Sequence, residues 1–177
     1  MNLYIRQEQP GDHDAIYDVT EQAFRDMPFA DHDEQNLVDR LRRSASYIPE
    51  FSLVALLDEQ LVGHVMLTRN CIVNANESFE SLTLGPVSVL PGLQRQGIGS
   101  RLILAVLEKA RDMGFRSVFL VGHEEYYPRF GFLLASSFGI LSPIEVPDPV
   151  FMAKELVAGG LKGVSGTIQY PKEFFEK

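Results

Sequence analysis

A chain of 177 residues with 45% apolar side chains makes one domain, residues 1–177, with a sizeable core and at most a short appendage. Its formal charge of −8 excludes a general nucleic-acid binder, because a phosphate backbone is repelled outside any local basic patch. The single cysteine, Cys71, excludes an internal disulfide and fits a reducing compartment; in an apolar, strand-like run it reads as a buried structural thiol.

The N-terminus, Met1-Asn2-Leu3-Tyr4-Ile5-Arg6, has no basic stretch followed by an apolar one, so no export signal is read. No run of about eighteen uncharged apolar residues occurs, so no transmembrane helix is expected and the cytoplasm is the expected compartment. Leu3 to Arg6 alternates as a short strand, and Pro10-Gly11-Asp12 turns the chain with Asp12 as the expected helix cap. Ile16, Val19, Ala23 and Phe24 then recur at helical spacing until Met27-Pro28-Phe29 interrupts them. A second amphipathic helix is predicted from about Asp31 to Ser44, burying Leu37, Val38 and Leu41. Its Arg40, Arg42 and Arg43 complement the dipole at the C-terminal end. Asp31-His32-Asp33-Glu34 reads as a solvated helix start. The histidines His13, His32, His64 and His123 are dispersed, so no metal site is expected.

Phe51 to Leu57 and Leu61 to Val73 are β-rich runs joined by a hairpin at Asp58-Glu59-Gln60. After a turn at Asn74 to Glu77, Glu80 to Leu90 forms a third antiparallel strand. A long helix from Gly97 to Met113 buries Ile98, Leu102, Val106 and Ala110, with Ile103, Leu104 and Leu107 widening the stripe, and ends on Gly114. Ser117 to Val121 is a buried strand, parallel to Leu84–Leu90 through a right-handed crossover. The predicted class is α/β: a mixed, mostly antiparallel sheet with one parallel pair and helices on both faces. Beyond Phe132 the pattern weakens. Met152 to Leu156 reads as a single helical turn and Val164 to Tyr170 as a last strand.

The segment Gln94-Arg95-Gln96-Gly97-Ile98-Gly99-Ser100 lies between a strand and a helix. Glycines there let backbone N–H groups face outward at a helix N-terminus, where unpaired donors and the dipole favour a phosphate. A dinucleotide fingerprint would need GxGxxG and a later acid, and a triphosphate loop would need Lys-Ser or Lys-Thr; neither is present. The pattern is instead Gln/Arg-x-x-Gly-x-Gly/Ala. Roughly thirty residues on comes Tyr126-Tyr127-Pro128-Arg129-Phe130-Gly131-Phe132.

In that order and spacing, the two motifs resemble the GNAT superfamily of acyl-CoA-dependent N-acyltransferases, in particular a bacterial subgroup of predicted N-acetyltransferases with Gly-Asp-x-x-Tyr-Tyr-x-Arg-Phe-Gly-Phe. Here His123 stands in place of the acid. The resemblance covers about residues 3–135, leaving 136–177 as a C-terminal extension. It implies acetyl transfer from acetyl-CoA to a primary amine of a small molecule or protein, by direct attack in a ternary complex. It also implies a cofactor-binding loop in which Gln96, Gly97, Ile98, Gly99 and Ser100 supply amides for the pyrophosphate, Gln94 and Arg95 lie at the outer edge, and Arg95 and Arg101 add charge. The pantetheine arm would run along the main chain of Val87, Ser88 and Val89, between the parallel strands. Pro86, which removes a donor inside a strand, suits a ligand entering there.

By the same resemblance, Tyr127 is the general acid for the departing thiolate; Tyr126 reads as packing or a pocket wall. The family's asparagine after the later strand is missing from Gly122-His123-Glu124-Glu125, so any general base is open, His123 and Glu124 being candidates and His64 a weaker one. The partners implied are acetyl-CoA and an amine acceptor, without metal, nucleic acid or membrane; a homodimer is open to such a chain. The alternative is a non-catalytic acyl-CoA-binding sensor or interaction domain.

Overall fold

A computed structural model describes residues 2–177; Met1, at the head of the stretch searched for an export signal, lies outside the described residues. The strands are β1 (Leu3–Gln7), β2 (Tyr47–Leu57), β3 (Gln60–Val73), β4 (Ser78–Val89), β5 (Ser117–Val121), β6 (Leu133–Leu134), β7 (Ile140–Leu141), β8 (Phe151–Glu155) and β9 (Gly166–Gln169). The helices are α1 (His13–Phe24), α2 (Glu34–Arg42) and α3 (Ile98–Asp112). Strand order is β1-β2-β3-β4-β5-β8-β6, and β9 pairs with both β3 and β7. This is the expected mixed sheet. Besides the parallel β4–β5 pair, the tail adds a second one, β7–β9. The chain forms two compact units. The first contains residues through Thr68, Gly85–Lys109 and Lys172–Lys177; the second contains Arg69–Leu84 and Ala110–Pro171.

In the first unit, β2 registers on β3 with Val54 opposite His64 and Ala55 opposite Gly63. Alternation along a strand then separates two faces. Val54 and Met66 pack on Ile16 of α1 and on Val38 and Leu41 of α2. On the other face, a Cβ at Gly63 would lie 3.0 Å from the Ser88 carbonyl oxygen and 3.1 Å from Leu102 of α3. Helices therefore cover both faces of this sheet. Leu104, expected in the apolar stripe of α3, is 55% exposed, so the stripe stops at Ile103 and Leu107.

Asp12 does not cap α1. Its carboxylate accepts the Gln9 N–H at 2.7 Å and pairs with Arg6 at 2.7 Å, closing the short Pro10–Asp12 turn instead. Helix α2 is shorter than expected, and its arginines have specific partners beyond the dipole. Arg40 reaches Asp33 and the Glu173 carbonyl, while Arg42 reaches Asp39 and Glu8.

In the second unit, β4 pairs with β5 at Leu82–Val118 and Thr83–Phe119, and Ser81 Oγ donates to the Ser117 carbonyl at 3.0 Å. The other edge of β5 is covered along its whole length by β8, from Ser117–Glu155 to Val121–Phe151. This corrects the helical turn expected at Met152 to Leu156. Met-Ala-Lys-Glu favours a helix locally, but an open strand edge needs partners for its N–H and C=O groups, and tertiary pairing prevails. The extension is thus part of the core: Ile140, Phe151, Ala153, Leu161 and Ile168 cluster with Ile72, Phe119 and Ala135. Strand β9 pairs with β3 at Cys71–Gln169, and Cys71 is half-buried rather than buried. Among the described residues no helix is long and apolar enough to cross a membrane.

Candidate active site

The glycine-rich segment follows β4 through a short turn, Pro91–Leu93, and opens α3. Arg101 N–H donates to the Gly97 carbonyl at 3.1 Å, so Gly97 caps the helix. Gly97 sits at φ 87°, a left-handed conformation that a side chain resists, and nothing lies within 4 Å of where its Cβ would be. Its outward side is open. Arg95 also adopts positive φ, 64°, as a non-glycine residue, which turns the loop sharply. Arg95, Gln96 and Gly97 are exposed, Gly99 and Ser100 partly so, and Ile98 is buried beneath them. Exposed amides above an apolar anchor make an anion-receptive helix start.

Gln94 and Gln96 turn their side chains onto the loop itself. Gln94 Nε2 donates to the Val89 carbonyl at 3.0 Å, and Gln96 Nε2 to the Gly92 carbonyl at 3.4 Å. Both amides brace the loop against its own backbone. Val89 therefore has its carbonyl engaged already, whereas Val87 is half-buried. Ser88 is buried with its Oγ unpartnered. Just upstream, Gly85–Pro86 is a cis peptide. Arg101 is exposed on α3.

Tyr127 belongs to the second unit. β5 ends at Val121, and Gly122 N–H donates to the Val150 carbonyl at 2.9 Å, continuing the β5–β8 ladder by one step. A turn from His123, whose carbonyl accepts the N–H groups of Tyr126 and Tyr127, then starts the short helical stretch Tyr127–Phe130. The Tyr127 ring is wedged edge-on against Tyr126 (centroids 5.1 Å apart) and Phe132 (6.0 Å), with Phe130 at 6.3 Å. Burial pushes its phenol up to about 12, with a smaller contribution from Tyr126. The group is neutral at physiological pH and available as a donor. Arg129 lies 4.4 Å over the Tyr126 ring and donates to the Tyr126 carbonyl at 2.9 Å, fixing Tyr126 as a wall. His123, Glu124, Glu125, Tyr126 and Arg129 line an open concavity of about 390 Å³.

His64 is fully buried, which removes it as a base acting on a substrate. It lies in a polar cluster that sequence reasoning missed. Ser52 Oγ donates to Glu8, so its lone pair accepts from His64 Nε2 at 2.8 Å; this assigns the Nε2–H tautomer and leaves Nδ1 unpartnered. His13 and Arg42 complete the shell around Glu8. Glu8 and His64 lie too far apart in sequence for any local pattern to link them.

Residues 13–132 match the model of the acetyltransferase (GNAT) family. The chain belongs to that family. It is 37% identical over 116 residues to the uncharacterized N-acetyltransferase YjhQ of Escherichia coli strain K12, an alignment covering 65% of this chain and 64% of that protein, just under two thirds of its length. It is 26% identical to the uncharacterized N-acetyltransferase YhbS of the same strain, over 97% of this chain and 98% of that one. Among solved structures, YhbS from Escherichia coli in complex with CoA superposes with a TM-score of 0.88 at 25% identity, over 99% of this chain and 93% of that one. A GNAT family acetyltransferase from Brucella melitensis in complex with acetyl-CoA superposes at 0.80 with 33% identity, over 98% of each chain. The motifs at Gln94–Gly99 and Tyr127–Phe132 both fall inside the matched span.

Proposed function

We propose that this chain transfers the acetyl group of acetyl-CoA to a primary amine of a small molecule or protein, by direct attack in a ternary complex in the cytoplasm. The amine nitrogen bonds to the thioester carbonyl carbon, the C–S bond breaks, and the sulfur leaves as thiolate. The nitrogen gives up its extra proton to solvent or a base, and the thiolate takes one from Tyr127, which is then reprotonated. On this reading the amides of Gln96 to Ser100 hold the pyrophosphate, with Gln94 and Arg95 at the loop's outer edge, and the main chain of Val87, Ser88 and Val89 lies along the pantetheine.

The observation that carries the reading is the neutral Tyr127 phenol at the end of β5, held by aromatic rings on several sides. Its value of about 12 stands well above the ordinary thiol value of about 8.5, so full transfer to a solvated thiolate is uphill. Low-dielectric surroundings that raise the phenol also raise a thiol beside it, which restores part of the balance. The phenol then acts by donating to sulfur as charge develops. The open side of Gly97 and the acetyl-CoA and CoA complexes of the two structural relatives support the cofactor assignment.

The test is CoA thiol release from acetyl-CoA across an amine panel, read over a range of pH. Turnover that rises with pH until the amine is neutral is expected. Tight acetyl-CoA binding with no amine-dependent release would overturn catalysis in favour of a binding domain.

A further inference from the structure

Gly122 has no backbone need to be glycine. Among the described residues the glycines at positive φ are Gly85, Gly97, Gly114, Gly131, Gly139, Gly159, Gly163 and Gly166; Gly122 is not one of them. It continues the extended ladder of β5, with its N–H on Val150. What it lacks, a Cβ, is what its surroundings require. A Cβ built there would lie 2.5 Å from Tyr127 Cε2 and 3.1 Å from Cδ2, with Leu120 Cδ1 at 3.3 Å. The first distance is inside any real carbon contact, so ring and side chain cannot coexist. Cε2 neighbours the carbon that bears the phenol hydroxyl, so displacing the ring moves the hydroxyl with it. The ring has no easy retreat, because Tyr126 and Phe132 stand edge-on against it and Phe130 lies close by.

We propose that Gly122 is a positioning residue for acetyl transfer. Its bare α-carbon seats the Tyr127 ring on the end of β5 and so sets where the phenol delivers its proton. This rests on the acid role given to Tyr127 above. Relieving a 2.5 Å contact to ordinary distance moves the ring by about 1 Å, and a misplacement of that size costs roughly a hundredfold in a positioned reaction.

Three measurements test it: turnover with an accepted amine, acetyl-CoA affinity by calorimetry, and thermal unfolding, on Gly122→Ala, Tyr127→Phe and the double variant. Gly122→Ala is expected to lower kcat roughly ten- to a hundredfold with acetyl-CoA affinity nearly unchanged. The double variant is expected to match Tyr127→Phe, since with the hydroxyl gone its position no longer matters. Wild-type kcat in Gly122→Ala beside an impaired Tyr127→Phe overturns the positioning role alone, as do losses that multiply in the double variant. Full turnover in Tyr127→Phe overturns the acid role and the positioning of an acid with it. Stability supplies an independent reading should Gly122→Ala fold poorly. The substitution should lower Tm in the wild type but not in Tyr127→Leu, where the ring is absent. An equal loss in both backgrounds would show that the Cβ meets something other than Tyr127 and overturn the inference.

Discussion

Arg42 of α2 sets its Nε 2.8 Å from Oε2 of Glu8, just past the end of β1, with both side chains almost out of water at 10% and 4% exposure. Burial alone would raise the Glu8 carboxyl, yet the His64 Nε2 edge 3.7 Å away and hydrogen bonds from Ser52 and Arg42 outweigh it and bring the value down to about 2. Beside it, burial lowers His64 below its ordinary 6.5, so the imidazole stays neutral. The cluster joins α1, α2, β2 and β3 of the first unit by charge where the neighbouring Ile16, Val38 and Met66 join them by apolar contact.

This arrangement dictates an acid limb of stability. Glu8 is depressed in the folded state, so its contribution is complete above about 4.5 and is lost as pH falls from there toward 2. His64 acts with the same sign from about 6.5 downward, because the unfolded chain takes up that proton first. Thermal unfolding followed from pH 7 to pH 2 should show Tm falling in that window. Glu8→Gln should be less stable at pH 7 but flatter below 4.5; an acid limb as steep as wild type would remove Glu8 as its source.

Gly97→Glu should abolish acetyl-CoA binding, since a carboxylate would stand on the open side of a phosphate site and repel its occupant. The left-handed φ at this position adds a strain of about 1–2 kcal/mol to any such substitution. Gly97→Asn, which tolerates that conformation better, separates the two effects and should retain most of the affinity. Unchanged affinity in a folded Gly97→Glu protein would falsify the placement of the pyrophosphate.

Gln94→Leu removes the bond that ties the loop to the Val89 carbonyl. A net hydrogen bond of about 1 kcal/mol translates to roughly a fivefold weaker hold on acetyl-CoA if the loop must be re-ordered on binding. Calorimetry measures it directly. A loss of several hundredfold would mean that Gln94 touches the cofactor itself rather than bracing its loop.

Tyr127→Phe keeps the ring among Tyr126, Phe130 and Phe132 and deletes only the hydroxyl. Turnover should fall roughly ten- to a thousandfold, as general-acid effects do, with acetyl-CoA affinity little changed. A variant that turns over at the wild-type rate returns Tyr127 to the aromatic core and leaves proton delivery to water.

The features legible in the sequence were those whose cause is local. The hairpin at Asp58-Glu59, the glycine-started α3 with its stop at Gly114, and the two spaced motifs all depend on residues within a few positions of one another. The rest depends on partners far along the chain. Phe151 to Glu155 has the composition of a helical turn and becomes a strand only because β5 offers it an edge. Glu8, Ser52 and His64 come from three segments with no shared period, and Gly122, though the first residue of the second motif's pattern, shows no reason to be glycine until the Tyr127 ring is seen across it. Even Gln94, part of a recognisable motif, has a side-chain partner that its spacing does not reveal.

β5 has a partner on both edges only once β8 is in place, and that order matters during synthesis. The ribosome finishes Ser117-Val118-Phe119-Leu120-Val121 about 34 residues before it completes Phe151–Glu155, an interval of about 1.7–7 seconds at about 5–20 residues per second. Through that interval one edge of an apolar, uncharged strand carries open donors and acceptors, the feature on which chains template one another into aggregates. A nascent chain stalled or cut before Phe151 keeps that edge indefinitely. Yield of soluble protein should therefore depend on how quickly translation runs from Val121 to Glu155, and slow codons in that stretch would cost more than slow codons on either side of it.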